Sequence, residues 1–286
     1  PNDLEKFEED HPILFEDSWL MVVNKPAGVL SHPNAKTPAI PPRRDCAFEG
    51  RYNFQERRFD TPDGPIWLIH RLDQNASGVL LAAKSVEVAQ KCRAYFEKNG
   101  PAQIQKVYLA LVAGQPAPVS GVWRDHLEKQ KGRDTVRSVV VLGRPPNAEL
   151  HYKTQSTHGM PPSLVQSSKF KVQSFEFSSS AFHDPQSAIR NQKFSSFSLL
   201  GIILLTGRTH QIRVQAARRG HPLAGDPIYG DFQLNRHLRR EMGLRRLFLH
   251  AARLTFQHPM DNRPMVLEAP LPPDLEDCLA RLRFIK

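Results

Sequence analysis

The run His70-Arg71-Leu72-Asp73 sets a carboxylate two positions from a guanidinium, between apolar segments that read as strands. A nearby arginine favours the ionised form of a carboxylate and fixes its direction. An R-x-D triplet in isolation is more often a structural ion pair at a strand end. A second cluster weighs against that bland reading. Gly207-Arg208-Thr209-His210-Gln211-Ile212-Arg213 crowds polar side chains onto the start of a predicted helix, where unpaired backbone N–H groups attract anions. Each cluster follows an apolar strand, so the two are expected to line one cleft.

Other chemistries lack their residues. The chain has no G-x-x-x-x-G-K-[ST] loop, no G-x-G-x-x-G and no H-E-x-x-H. Ser77 precedes a glycine, but Asn75 stands where the nucleophile elbow of a hydrolase needs its first glycine. The twelve histidines include no i, i+4 pair, so no metal site is expected. Cys46, Cys92 and Cys278 stand far apart, which argues against a disulfide framework and for a reducing compartment.

The charge balance points to a polyanionic partner. Lysine and arginine outnumber acids 39 to 29, for a net charge of +10. Arg236, Arg239, Arg240, Arg245 and Arg246 are interrupted by a single acid, Glu241. One-sign clustering of this kind raises the local potential and favours nucleic acid. Leu234, Leu238 and Met242 form only a thin apolar stripe, which reads as a helix on its own core rather than on a membrane. The longest apolar run, Leu199–Leu205, is far shorter than the ~20 residues of a membrane span. The acidic amino terminus carries no apolar signal region, and a cytoplasmic location is expected.

Around these residues the pattern predicts two short strands over Ile13–Asn24, turned at Glu16-Asp17-Ser18, and β structure over Ile66–Ala83 broken by residues 70–78. Ser85 is a candidate N-cap for a helix running to Asn99. Strands are expected at Val107–Ala113, Leu199–Leu205 and Leu247–Gln257, with helices at Thr209–Arg219 and Asp274–Arg283. The proline-rich stretch 33–65 reads as one long loop. The serine-rich stretch 153–197 reads as an irregular surface insertion with one strand at Phe170–Phe177, a decoration rather than an RNA contact. Strands and helices do not alternate as β-α-β units, which predicts an α+β fold with a mainly antiparallel sheet.

The motifs, taken in order, carry a resemblance. Val22-Val-Asn-Lys-Pro-Ala-Gly28, His70-Arg-Leu-Asp-Gln-Asn-Ala-Ser-Gly-Val-Leu-Leu81, Gln105-Lys-Val-Tyr-Leu-Ala-Leu111 and Thr206-Gly-Arg-Thr-His-Gln-Ile-Arg-Val214 come first. Gly220-His-Pro-Leu-Ala-Gly-Asp-Pro-Ile-Tyr-Gly-Asp231 and Leu247-Phe-Leu-His-Ala-Ala252 complete the set. The chain resembles the RluA-type family of RNA pseudouridine synthases over residues 12–152 and 198–285. The resemblance implies one catalytic domain spanning 1–286 with a curved, mixed, mainly antiparallel sheet, flanking helices and a central RNA cleft. It implies no amino-terminal S4 module, since only a dozen residues precede Ile13. By motif position it makes Asp73 the nucleophile, Tyr108 the aromatic that stacks on the target base and removes its proton, and Arg213 the partner of Asp73. Arg71 matches the arginine that holds the helix open once the uridine has left it. His70, Lys106, Arg208, Thr209, His210 and Gln211 are then candidate RNA contacts, joined on grounds of charge by Arg239, Arg240 and Arg245. Departures are Ala76 for a usual threonine, Gln215 for a usual histidine, and the 153–197 insertion.

The resemblance makes the protein an isomerase. Converting uridine to pseudouridine needs an ionised carboxylate, either to add covalently or to assist loss of the C2′ hydrogen, and the sequence leaves both routes open. It needs no metal or cofactor. The base must leave its stack, which calls for an aromatic-faced pocket. The expected partner is RNA, with 23S-type rRNA ranked ahead of tRNA, and the expected state is a monomer. A second reading is a catalytically silent RNA-binding or ribosome-assembly factor of the same fold. It leaves the joint presence of Asp73, Tyr108 and Arg213 unexplained. A third, a basic enzyme acting on a small molecule, leaves the arginine clustering unexplained. On this view Arg213→Lys costs activity far more than stability.

Overall fold

Asp17 makes the first reversal of the chain. Its Oδ1 accepts from the backbone N–H groups of Trp19 and Leu20, each at 2.8 Å. The flanking residues therefore pair as antiparallel strands β1 (Ile13–Glu16) and β2 (Leu20–Lys25), as the turn signal predicts. The computed structural model describes residues 12–33, 46–96, 104–131, 136–160, 182–183 and 194–283. Along the chain follow β3 (Arg51–Asn53), β4 (Arg58–Thr61), β5 (Gly64–Leu68), β6 (Ser77–Ala83) and helix α1 (Val86–Tyr95). Next come β7 (Gln105–Ala113), β8 (Ser120–Lys131), β9 (Val136–Val141), β10 (Ala148–Gly159), β11 (Phe182–His183) and β12 (Ser196–Leu204). Helices α2 (Gln211–Arg218) and α3 (Phe232–Glu241), strands β13 (Leu249–Gln257) and β14 (Pro264–Glu268), and helix α4 (Pro273–Arg283) complete the order.

These residues form two compact units, Pro1–Val107 with His250–Pro270, and Tyr108–Leu249 with Leu271–Lys286. In the first unit β6 is buried at every position. It pairs antiparallel with β2 from Leu20↔Ala83 to Lys25↔Gly78, parallel with β13 at His250↔Ser77, and antiparallel with β5 at Trp67↔Ala83. Gly78 lies at a φ of +114°, and a Cβ there would fall 2.2 Å from the Ala251 carbonyl oxygen. Only glycine fits this crossing. Helix α1 packs on β5 and β6 through Val88, Ala89 and Cys92. Its N-cap is Ser85, whose Oγ accepts from the Val88 N–H at 3.3 Å, as predicted. The last predicted residues of that helix, 97–99, lie outside the described residues.

In the second unit the strand order is β11-β9-β8-β10-β12-β7. The pairings β9–β11, β8–β9, β8–β10 and β10–β12 are antiparallel. Helix α2 sits against β8 and β9, and α4 against β10. Helix α3 buries Leu234 and Leu238, with Met242 as its buried C-cap residue. That is the predicted apolar stripe, and each leucine so buried stabilises the helix by about 1.5–3 kcal/mol. The fold is α+β, as expected.

Two sequence expectations fail. The stretch 33–65 is not one loop, because β3, β4 and β5 form a meander over 51–68. The strands β3 and β4 each bury one aromatic, Tyr52 and Phe59, so neither shows an apolar period. The insertion is also shorter than 153–197: β10 continues to Gly159 and β12 begins at Ser196. Beyond Tyr152 the strand β10 alternates exposed with half-exposed polar residues, so the period-2 signal has no apolar member. The predicted strand at 170–177 lies outside the described residues. The hairpin β8–β9, dense in charge, left no sequence signal. Among the described residues no helix is long and apolar enough to cross a membrane.

Candidate active site

Asp73 sits half-buried in the segment that joins β5 to β6, and a second loop grips that segment from below. Lys25, at the end of β2, is fully buried, and its Nζ donates to the carbonyls of Pro26 (2.7 Å), Val29 (2.7 Å) and Gln74 (3.2 Å). The Gly28 N–H donates to the Gln74 carbonyl at 2.8 Å, and Gln74 Nε2 returns a bond to the Gly28 carbonyl at 2.9 Å. Ser31 Oγ accepts from the Leu72 N–H at 2.9 Å and donates to the Leu72 carbonyl at 3.0 Å. Both neighbours of Asp73 are thus tied on both sides. A buried ammonium is tolerated here because carbonyl oxygens replace its water. The Val-Asn-Lys-Pro-Ala-Gly motif therefore positions the Asp73 segment, a role that the sequence alone did not assign to Lys25 or Ser31.

The exit from this segment is equally fixed. Ser77 Oγ lies 2.9 Å from Nδ1 of the fully buried His250, whose Nε2 lies 3.1 Å from the Ala269 carbonyl. A carbonyl only accepts, so Nε2 carries the proton, and in the neutral ring Nδ1 accepts from the Ser77 hydroxyl. His250 and Ser77, from two separate motifs, thereby brace one turn.

The neighbours of Asp73 divide by environment. His70 Nε2 accepts from the Leu81 N–H at 3.1 Å, and its ring stacks on Phe96 at 5.2 Å. Burial, with Lys106 and Arg57 nearby, pushes this ring down to about 3. His70 thus spends its Nε2 on the Leu81 N–H and is held neutral, so any RNA contact it makes is not as a cation. Lys106 is 7% exposed with its Nζ over the Phe96 ring, and burial lowers it to about 8. Arg71 is exposed, and its Nη1 lies 3.2 Å from His32 Nε2.

The sign of the His70 effect on stability follows. From the ordinary value of 6.5 down to about 3, the unfolded chain binds a proton that the folded chain refuses. The stability present above 6.5 is lost as pH falls through that window. His70→Gln keeps an acceptor for the Leu81 N–H but cannot titrate. We expect this variant to lose less stability than the parent between about pH 7 and about pH 4 in denaturant titrations. Parallel pH profiles would contradict a buried neutral ring.

The second unit builds its own polar centre on Arg213, the third residue of α2. Arg213 is 3% exposed, with Nε and Nη2 each 2.8 Å from the two carboxylate oxygens of the buried Asp226. Asp226 Oδ1 also accepts from the Ile228 and Tyr229 N–H groups at 2.9 and 3.1 Å, closing a turn. The guanidinium lies 5.2 Å from the Tyr229 ring centroid. Tyr229 accepts at its hydroxyl from the Ser138 N–H at 2.6 Å, and His210 Nδ1 stands 3.0 Å from the same oxygen. A planar fork, charge-assisted at both prongs, sets the guanidinium plane far more tightly than one bond would. Asp226 was quoted as part of a motif, but no role was read for it. The Gly-Asp-Pro-x-Tyr pattern, an acid opening a tight turn, was the available signal.

The remaining candidates in this unit are mixed. Gln211 is 3% exposed; its Oε1 accepts from Thr206 Oγ1 and the Arg208 N–H, and its Nε2 donates to the Glu149 carbonyl. Gln211 holds the 206–208 turn and offers no surface to RNA. Gln215, the departure from the usual histidine, is fully buried on Asp125 and the Trp123 carbonyl. Arg208 is exposed, with Thr209 and His210 half-buried beside it. Tyr108 is 8% exposed on β7. In the arginine cluster Arg239, Arg240 and Arg245 are exposed, but Arg240 bonds Glu241 at 2.8 Å and Arg246 bonds Asp274 at 2.8 Å. Among the described residues, no group of three His, Cys, Asp or Glu side chains is placed to hold a metal ion.

Known proteins are similar to this chain over most of its length. A family model described as RNA pseudouridylate synthase matches residues 19–218. Ribosomal large subunit pseudouridine synthase C of Yersinia pestis is 34% identical over 272 residues, covering 95% of this chain and 69% of its own length. The protein of that name from Escherichia coli (strain K12) is 33% identical over 273 residues, covering 95% and 70%. Among solved structures, human RNA Pseudouridylate Synthase Domain Containing 4 superposes with a TM-score of 0.60 at 22% identity, covering 95% of this chain and 92% of that one. Human RNA Pseudouridylate Synthase Domain Containing 1 gives 0.60 at 21% identity, covering 94% and 88%. The matched span takes in the braced Asp73 segment, the Tyr108 strand and the Arg213 helix, and this chain belongs to the RNA pseudouridylate synthase family.

Proposed function

We propose that this protein isomerises uridine to pseudouridine in large-subunit ribosomal RNA, with Asp73 as nucleophile. The observation that carries the reading is the bracing of the Asp73 segment by Lys25, Ser31 and Gly28. Five interloop bonds hold the segment of a half-buried carboxylate that lies two residues from Arg71. Catalysis depends on such groups being held near their reacting position before substrate arrives. The printed names of the relatives support rRNA as substrate.

In this reading the N1–C1′ bond breaks, the base turns, and C1′ bonds to C5. The C5 hydrogen leaves as a proton while N1 gains one, so the product is an isomer. Tyr108 stacks on the extruded base and takes the C5 proton. Arg213, held by its Nε and Nη2 on Asp226, is the cation that the family resemblance assigns to Asp73. Arg71 occupies the gap left in the RNA helix, and Arg208, Thr209 and His210 meet the backbone. The chain works as one catalytic domain, as a monomer in the cytoplasm. Purified protein given tritium at C5 of uridine, in unmodified large-subunit rRNA or in tRNA transcripts, tests the reading. Tritium release from the rRNA alone is expected, and release only from tRNA overturns the substrate assignment.

The arginines of α3 and the turn after it supply the general grip. Each phosphate contact releases counterions, so log affinity falls with log salt at ~0.7–0.9 per contact. Changing Arg239, Arg240 and Arg245 together to glutamine should flatten this slope by about two units, since Arg240 already shares its charge with Glu241. Identical slopes for parent and triple variant would place the cluster outside the RNA footprint.

A further inference from the structure

The β3–β4 turn, Phe54–Arg57, presents an aromatic ring that the chemistry above does not use. Phe54 is 47% exposed, although the residues on either side of it are built into a fixed turn. Asn53 Oδ1 accepts from the Gln55 and Glu56 N–H groups at 2.9 and 3.1 Å. Arg57 holds a left-handed φ of 57°, which a side-chain-bearing residue keeps only where its surroundings enforce it. Arg58 closes the base of the hairpin on Glu56 and Asp60. The turn is therefore stiff, and an exposed apolar ring on a stiff turn is prepared for a partner.

The turn is also stitched to the segment that holds Asp73. The Leu68 N–H donates to the Arg57 carbonyl at 2.9 Å, and Arg57 Nη2 lies 3.4 Å from the Ile69 carbonyl. The Phe54 ring meets Tyr52 edge-on at 5.0 Å, and Tyr52 stacks on His32 at 5.2 Å. His32 Nδ1 lies 2.8 Å from the Pro33 carbonyl and so carries the proton there, which leaves Nε2 to accept from Arg71. A continuous path of ring and guanidinium contacts thus runs from Phe54 to Arg71, two residues before Asp73. Arg58 engages Glu56 and Asp60, and Arg51, Arg57 and Arg71 are exposed cations on this rim.

We propose that Phe54 is a stacking subsite for an unpaired RNA base beside the target uridine, with Arg57 meeting the adjoining phosphate. An aromatic face accepts any base, and flanking guanidinium groups add charge and stacking of their own. The subsite selects RNA whose bases are already unpaired next to the target, and so favours loops over continuous helix. This inference rests on RNA being the substrate, but not on which RNA.

The test compares Phe54→Leu and Phe54→Trp with the parent, using a fluorescein-labelled stem–loop RNA and a blunt duplex of the same composition. The leucine keeps apolar bulk and loses the π face; the tryptophan keeps the face. Phe54→Leu should weaken stem–loop binding by roughly five- to a hundredfold and leave duplex binding as in the parent. Phe54→Trp should restore stem–loop affinity, with an indole emission change on adding that RNA which the parent lacks. Parent-like stem–loop binding by Phe54→Leu overturns the proposal, as does an equal loss on the duplex or no binding by the parent. Thermal melting of each variant guards against a folding defect. A parent that binds the stem–loop through Phe54, yet releases no tritium from rRNA, would refute the rRNA assignment and leave the subsite standing.

Discussion

Asp73→Asn should abolish pseudouridine formation while RNA binding stays largely intact. The substitution preserves shape, and the bonds that Lys25, Ser31 and Gly28 make to this segment go to residues 72 and 74, which it leaves unchanged. It removes the one charge the chemistry needs. A neutral amide neither adds to a sugar carbon nor assists proton loss from one, and single-turnover rates should fall by roughly 10⁴-fold or more, the scale seen when a nucleophile is removed. Melting temperature should hardly move. Turnover near the parent rate would mean that another residue carries the chemistry. A large loss of stability instead would mean that Asp73 is the structural half of an ion pair.

The second large effect is on the fold. Asp226→Asn strips the charge from the fully buried partner of Arg213, leaving a guanidinium enclosed with no carboxylate on its fork. Breaking a buried pair from one side costs about 3–5 kcal/mol. At ~2–4 °C per kcal/mol for a chain of this size class, the melting temperature should drop by about 6–20 °C. Activity should drop as well, because α2 and the 226–229 turn lose their common anchor. Equal melting of parent and Asp226→Asn would show that the fork contributes nothing net. Because its fork is buried on Asp226, Arg213→Lys should cost some stability along with the larger loss of activity.

The sequence told most where side-chain type alone decides the outcome. The turn at Asp17, the cap at Ser85, the apolar stripe of α3 and the α+β arrangement all follow from local rules that the folded chain obeys. Strands without an apolar period escaped: β3 and β4 bury one aromatic each, and the outer half of β10 buries none fully. Their stability comes from neighbours distant in sequence, which no window of residues contains. The motifs single out Asp73 and Arg213, but charge is a poor guide to which polar residues are buried. His70 and Gln211 look like surface ligands in sequence and prove to be internal braces. Lys25, a cation in a strand, turns out to be the bolt between two loops. Burial decides such cases, and burial is a property of the tertiary fold.

The central claim is that Asp73 makes this chain a pseudouridine-forming enzyme for large-subunit rRNA. The most direct measurement maps pseudouridines across total RNA from cells that lack this protein, then from the same cells supplied with the parent or with Asp73→Asn. Discrete positions in the large-subunit rRNA should lose the modification, regain it with the parent, and stay unmodified with Asp73→Asn. An unchanged map, or full restoration by Asp73→Asn, would contradict that claim.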